Sequence, residues 1–197
     1  MKTVQAKCVG ISPLMMCRMT EEELEGLRTG VRDPIKRDVP REEVAKVRLY
    51  TDEEGTVGIP IENLFACLVE AGRDVKVGTK QISTATTTKL PAFLSLPELF
   101  LPLIDFTPWV VDMRRGVNAN AGKSGVACAV VRPKFMQWAF EVTLEIDDNL
   151  MSLETARQLL EIAGGRHGLM AFRPNKKGPF GRFKVERWSE VSQQLVA

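Results

Sequence analysis

The stretch WAFEVTLEIDDNLMSLETARQLLEIAGG, residues 138–165, decides the fold. From Trp138 to Ile146 every second residue is apolar and the residues between are Ala139 or polar, as in a β-strand with one face buried and the other in water. After Ser152, a favoured N-cap, apolar residues recur three and four positions apart as far as Ala163. The stretch therefore predicts a strand followed by an amphipathic helix, which we expect to end at Gly164–Gly165.

Similar patterns on both sides of this stretch predict the remaining elements. Alternation predicts a first strand over residues 3–11, and the apolar positions Ile61, Leu64, Phe65, Leu68 and Val69 predict a helix after Pro60. Thr20 and Glu23 have the spacing of a capping box, which predicts a short acidic helix. Further strands are predicted over residues 108–117, 125–133 and 181–188.

The order of these elements predicts an α+β fold. We treat residues of about 12–57, 73–107 and 117–126 as insertions, the second being a Thr-rich arm and the third a hairpin tip. The remainder then runs strand, helix, strand, strand, helix, strand (βαββαβ). This is the plan of ferredoxin-like and RRM-like domains, in which two helices cover one face of an antiparallel sheet. The length of 197 residues predicts a single domain over residues 1–197.

Composition argues against several classes of protein. The hydrophobic fraction of 44% and charged fraction of 26% are ordinary for a globular protein, and no apolar run approaches the length of a membrane span. We therefore predict a cytoplasmic protein without membrane contact. The four cysteines are scattered and the chain has one histidine, so a zinc site is not predicted and the cysteines are expected to be free thiols. The sequence predicts no metal and no cofactor.

The segment between the second helix and the last strand is rich in both glycine and basic residues. From Gly164 onward the chain has seven Lys and Arg side chains against two Glu, a net charge of +5, which leaves −3 on the first 163 residues of a chain whose total is +2. Glycines let a backbone approach a ligand and expose its N–H groups, and the cations beside them neutralise phosphates. The pattern predicts a phosphate-binding loop, with a solvated basic loop as the alternative.

Two other features bear on chemistry. His167 is a candidate general base, but acid–base cleavage of a phosphodiester needs a second group that the sequence does not identify. Asp33 and Asp38 lie in a proline-broken loop and are candidate metal ligands, with solvated carboxylates as the alternative.

Trp138 and Phe140 share the apolar face of their strand, so we expect them in the core rather than stacked on nucleic-acid bases.

Three motifs carry a resemblance to a known family. The first strand ends in GISPLMM, residues 10–16; an acidic turn leads into a helix in EEGTVGIPIENLFACLVEAG, residues 53–72; and a glycine-rich loop lies in LLEIAGGRHGLMAFRPNKKGPFGRFKV, residues 159–185. In this order they resemble the RAMP superfamily, and most of all the repeated backbone subunits of CRISPR effector complexes. NANAGKSG, residues 118–125, takes the place of the thumb hairpin of such subunits. PIENLFA replaces the family's usual Pro-Gly-Ser-Ser-Leu-Lys-Gly, which indicates a divergent relative of phage or mobile-element type.

The resemblance implies a non-catalytic protein that binds single-stranded RNA, or single-stranded DNA, as a homo-oligomer or helical filament, with other effector subunits as further partners. The rivals are a RAMP-type endoribonuclease that uses His167 or a loop Asp, and a phage structural or assembly protein. The apolar residues Leu94, Leu96, Leu99, Phe100 and Leu101 of the arm are expected either to contact the next subunit or to fold back. The predicted backbone contacts are Arg166, His167, Arg173, Lys176, Lys177 and Arg182, with Lys123, Arg114, Arg18 and Lys80 as secondary candidates.

Overall fold

The computed structural model describes residues 1–30, 38–118 and 126–191. The strands in these ranges are β1 (Lys2–Gly10), β2 (Leu14–Met15), β3 (Gly58–Pro60), β4 (Lys76–Val77), β5 (Lys80–Gln81), β6 (Leu94–Ser95), β7 (Phe100–Pro102), β8 (Val110–Asn118), β9 (Val126–Phe135), β10 (Ala139–Ile146) and β11 (Phe183–Val191). The helices are α1 (Glu21–Thr29), α2 (Arg41–Lys46), α3 (Ile61–Ala71), α4 (Leu90–Phe93) and α5 (Leu153–Ile162).

The central sheet has four strands in the order β11-β1-β10-β6, and all neighbouring pairs are antiparallel. In order of the core strands along the chain this is 4-1-3-2, the arrangement of a ferredoxin-like or RRM-like fold. The α+β fold predicted from the sequence is confirmed. β1 and β10 form the centre, paired from Lys2 opposite Ile146 to Val9 opposite Ala139. The strict alternation of β10 places Phe140, Val142, Leu144 and Ile146 in the core.

Helices α3 and α5 cover the apolar face of this sheet. Leu64 and Leu68 of α3 and Leu159 and Leu160 of α5 are fully buried and form one core with the inward side chains of the strands. Each helix begins much as its sequence indicates: Ser152 Oγ accepts from the backbone N–H of Thr155, and Pro60 immediately precedes α3. The capping box predicted at the start of α1 is also present.

The second strand of the core lies where the sequence analysis did not place it. It is β6, a strand of two residues inside the segment 73–107 that was treated as an insertion. The long strands β8 and β9 belong instead to a separate sheet of order β2-β9-β8, which β2 extends by pairing Leu14 with Phe135. The prediction was wrong here because two residues between prolines carry no detectable alternation.

The apolar residues of the Thr-rich arm largely fold back onto the body. Leu94 and Leu101 are buried at 3% and 1% exposure, and β7 pairs with β3 beside the start of α3. Leu99 remains exposed at 83%. Of the two outcomes expected for the arm, folding back is therefore confirmed for Leu94 and Leu101. Among the described residues, no helix has the length and apolar character needed to cross a bilayer. All four cysteines are free thiols, as predicted.

Candidate nucleic-acid interface

We call residues 163–182 the glycine-rich loop. Helix α5 does not end at Gly164–Gly165 as predicted: the chain continues through a π-helical turn, Ala163–His167, and leaves it at Gly168, where φ is +70°. Gly164 allows a close approach, since a Cβ there would collide with the backbone and ring of Phe183 at the start of β11. A single turn of 3-10 helix, Pro174–Lys176, follows.

The glycine-rich loop is fastened to the exit of β1. Ala171 N donates to Met15 O at 2.9 Å, and Gly181 N donates to Pro13 O at 2.8 Å. Arg182 O in turn accepts from Ile11 N at 2.8 Å. The motif GISPLMM and the glycine-rich loop, far apart in sequence, therefore form one unit.

The backbone N–H groups of the glycine-rich loop are mostly used inside the protein. The N–H groups that donate to protein oxygens include those of Gly168, Leu169, Ala171, Lys176, Lys177, Gly178, Phe180, Gly181 and Arg182. The expectation that glycines here present free N–H groups to a phosphate is wrong for these positions. The glycines instead let the loop pack against itself, and at the positions just named a phosphate can be contacted only through the side chains.

Four of the predicted cations project from this unit. Lys176 and Lys177 are exposed on and after the 3-10 turn, and Arg166 is 67% exposed on the π-helical turn. Arg182 is exposed and its Nε donates to Gly165 O at 2.8 Å, which fixes the guanidinium beside that turn. Arg173 is only partly exposed, and its Nη1 donates to Met170 O at 2.6 Å.

His167 does not stand alone in the loop. Its Nδ1 lies 2.9 Å from Asn175 Oδ1 and its Nε2 lies 3.4 Å from Asp74 Oδ2, and its side chain is only 14% exposed. Arg166 Nη1 lies 3.5 Å from the same Asp74 oxygen. Both ring nitrogens thus face protein oxygens, so His167 joins the end of α3 to the 3-10 turn.

Arg114 links the β8–β9 hairpin to the glycine-rich loop. Its guanidinium lies 4.9 Å from the ring centre of Phe180 and 5.8 Å from that of Phe172. Asp112, 8% exposed, binds Arg114 through both oxygens and Lys134 at 2.9 Å. The hydrogen bond from Arg114, and then that from Lys134, lower the pKa of Asp112, whose carboxylate raises the pKa of Arg114. Arg114 therefore connects the β8–β9 hairpin to the glycine-rich loop.

The other secondary candidates lie apart from this group. Arg18 is partly buried, and its backbone is paired with Arg48, which forms an ion pair with Glu23. Lys80 is exposed on the β4–β5 hairpin, and we find no hydrogen bond or ion pair between it and the glycine-rich loop in the described ranges. Lys123 and Asp33 lie outside the described residues, and Asp38 is exposed. Within those same ranges, no three His, Cys, Asp or Glu side chains cluster as metal ligands.

The open face of the central sheet is crossed by ion pairs. Lys7 contacts Asp105 at 2.8 Å and Glu186 at 3.1 Å, and Arg187 contacts Glu141 at 2.6 Å. Trp138 and Phe140 are on the other face, buried at 1% and 0% exposure. The prediction that they belong to the core is confirmed.

A comparison with solved structures finds a likeness over nearly the whole chain. The similar chain belongs to the cryo-EM structure of the Type III-B Cmr-beta bound to cognate target RNA, and the comparison gives a TM-score of 0.56 and 10% sequence identity. The two chains share a fold. The likeness covers 96% of this chain and 60% of that chain, so this protein spans about three fifths of its length. No protein-family model and no curated protein matches the sequence.

Proposed function

We propose that this protein binds single-stranded RNA through the cations of the glycine-rich loop, without cleaving it, as a repeated subunit along its ligand. The observation that carries the proposal is the group of exposed cations, Arg166, Lys176, Lys177 and Arg182, on a loop that backbone hydrogen bonds hold in one conformation. The fold likeness to a chain from an RNA-bound structure supports the choice of ligand.

Phosphate contacts supply most of the affinity of sequence-independent binding, because each neutralised phosphate releases counterions. Long cationic side chains lose conformational freedom when they bind, and a fixed backbone beneath them reduces that cost. Arg182 is held further by its own contact with Gly165 O. Four cations on a fixed loop therefore suit the backbone of a flexible single strand.

The absence of cleavage is part of the proposal. A general base must reach the proton that it removes. The two nitrogens of His167 already face Asn175 and Asp74, and the ring is mostly buried. These contacts favour a structural role for His167 over the endoribonuclease alternative.

Removing three loop cations tests the ligand. We expect the variant Lys176→Gln, Lys177→Asn, Arg182→Gln to bind a fluorescent single-stranded RNA more weakly, with the slope of log K against log salt smaller by roughly 2, at about 0.7 per phosphate contact. Asn is chosen at position 177 because φ there is +58°. Fluorescence anisotropy at four salt concentrations gives the slope.

The matched control removes three exposed cations elsewhere, by Lys46→Gln, Lys89→Gln and Arg157→Gln. Its net charge changes equally, but we expect it to keep the wild-type slope. Equal slopes in the wild-type protein and the loop variant would contradict the proposal. Wild-type protein incubated with RNA and Mg²⁺ or Mn²⁺ should leave the RNA intact.

The proposal of repeated subunits rests on an apolar groove beside the arm. The groove, about 320 Å³, lies between the first turn of α3 and β6 and is lined by residues including Ile61, Phe65 and Leu96. The backbone carbonyl of Leu99 accepts from Ile61 N at 3.1 Å, so Leu99, whose side chain is exposed, lies next to a residue that lines the groove. An exposed leucine next to an open apolar groove suits a contact with a second copy of the chain.

We expect Leu99→Ser to abolish cooperative binding to long RNA while leaving binding to a short oligonucleotide unchanged. Leu101 is left in place because it is buried. Leu27→Ser, at a leucine 62% exposed on α1, is the control and should remain cooperative. Sedimentation velocity with and without long RNA gives the state of assembly, and a monomer under every condition would rule out repeated subunits.

A further inference from the structure

A pocket of about 290 Å³ lies between helix α3 and the 3-10 turn of the glycine-rich loop. It is lined by Ala66, Cys67, Glu70, Arg173, Asn175 and Lys176. Its volume is near the lower end of the roughly 300–1,000 Å³ range of small-molecule sites. Arg173 and Lys176 are among the cations predicted to contact phosphates, and Glu70 has no predicted role.

The two walls of the pocket have opposite hydrogen-bonding character. The wall from α3 presents the Glu70 carboxylate, an acceptor, whose Oε2 is contacted by Arg73 at 3.0 Å. The other wall presents the donors Arg173, Asn175 and Lys176. An Arg side chain has five N–H donors, so the contact of Arg173 Nη1 with Met170 O leaves others for a ligand.

Both walls are fixed before any ligand binds. Cys67 Sγ lies 3.3 Å from Ala163 O and 3.2 Å from Gly168 O, which ties α3 to the π-helical turn. Burial raises the pKa of the Cys67 thiol to about 12, so it stays uncharged at neutral pH. Asn175 Oδ1 accepts from His167, which leaves the Asn175 amide N–H groups as donors.

Glu70 makes this pocket unsuited to a phosphate alone, since a carboxylate repels an anion. It suits a neutral ligand with donors on one edge and acceptors on the other. Guanine has this pattern: N1–H and the N2 amino group lie on one edge, and O6 and N7 are acceptors on the other. Uracil would direct carbonyl oxygens at Glu70 on both sides of its single N–H, and adenine lacks the O6 acceptor.

We propose that this pocket binds the base of a guanine nucleotide in the bound single strand, with Glu70 accepting from N1–H and the N2 amino group and with Arg173 and Asn175 donating to O6 and N7. The proposal rests on the proposed function, because the strand must first lie along the glycine-rich loop. Unstacked bases of single strands are commonly recognised along such edges.

The experiment measures how well the full-length protein binds four fluorescent heptamers at one salt concentration. Each is oligouridine with a single central guanosine, adenosine, cytidine or inosine, and inosine is guanosine without the N2 amino group. We expect the guanosine heptamer to bind about tenfold more tightly than the adenosine heptamer, as one well-placed bidentate contact allows. Inosine should fall between them.

Glu70→Gln should abolish this preference and keep the affinity for the adenosine heptamer. Arg73→Ala is the matched control, since it removes the ion pair of Glu70 but not the carboxylate, and it should keep the preference for guanosine. Equal binding of all four heptamers by the wild-type protein, or a preference unchanged in Glu70→Gln, would overturn the guanine site and leave the proposed function standing. Failure to bind any heptamer or longer RNA would overturn both.

Discussion

Gly181→Ala is expected to unfold the glycine-rich loop and abolish nucleic-acid binding. Gly181 has φ of +72°, and a Cβ at this position would overlap the carbonyl oxygen of Leu169. The same residue donates to Pro13 O and accepts from Leu169 N, each at 2.8 Å, so a displaced backbone loses both hydrogen bonds. Strain at a positive φ and the forced repacking each cost about 1–3 kcal/mol. Urea denaturation should show a loss of roughly 3 kcal/mol or more in the free energy of unfolding.

Gly165→Ala is the control within the same loop. Gly165 does not have a positive φ, and beyond its chain neighbours and the backbone of its own turn nothing lies within 4 Å of a Cβ added there. We expect its free energy of unfolding to stay within about 0.5 kcal/mol of the wild-type value and RNA binding to persist. If Gly181→Ala were as stable as Gly165→Ala, the close packing of residues 169 and 181 would have no role in holding the loop.

The strands and helices whose apolar residues recur at a regular spacing were predictable from the sequence, and the short elements were not. Strands β1 and β10 and helices α3 and α5 each bury one face, so their sequences carry the period of the structure. Strand β6 has two residues, and its place in the sheet comes from pairing Leu94 and Ser95 with Ile146 and Glu145. No local pattern records a contact that depends on residues about 50 positions away.

In the candidate site too, the features with a local sequence pattern were predictable and the contacts between distant residues were not. The cations of the glycine-rich loop stand out as a local charge cluster, so the sequence identified them as a group. Their partners did not stand out: Asp74 is 93 positions from His167, and Asp112 and Lys134 meet only because β8 and β9 pair. One feature of the sequence could have identified Asp112 as a partner of Arg114. It is an acidic residue in a predicted strand, and Arg114 lies two positions later on the same face.

The occupied N–H groups of the loop also change how its glycines are understood. A glycine-rich basic segment in a sequence is compatible with a backbone that binds phosphate or with a backbone that packs closely on itself. Gly178 and Gly181 belong to the second kind, because an added Cβ would overlap Phe172 or Leu169. The sequence cannot separate these two uses, since both require the same residue.

Trp138→Ala is expected to have the largest effect on the core. Trp138 is 1% exposed, stacks on Phe140 with ring centres 6.1 Å apart and meets Phe183 edge-on at 6.4 Å. Replacing a buried Trp by Ala typically costs 3–5 kcal/mol, because the lost contacts leave a cavity. That is a large share of the roughly 5–15 kcal/mol that stabilises a domain. Urea denaturation should show a much lower midpoint, or the variant should be recovered only as insoluble protein.

Trp138→Phe removes the connection to the loop with a smaller loss of packing than Trp138→Ala. It keeps an aromatic ring but removes the indole N–H that donates to Ser12 O at 2.8 Å. Ser12 Oγ in turn accepts from the backbone N–H of Arg182 at 2.9 Å, so Trp138 positions a proposed phosphate contact through Ser12. We expect this variant to lose roughly 1–3 kcal/mol of stability, because the smaller ring leaves a cavity and Ser12 O loses its donor, to stay folded, and to bind RNA more weakly than the wild type. Unchanged affinity in the folded variant would mean that the position of Arg182 does not depend on Trp138.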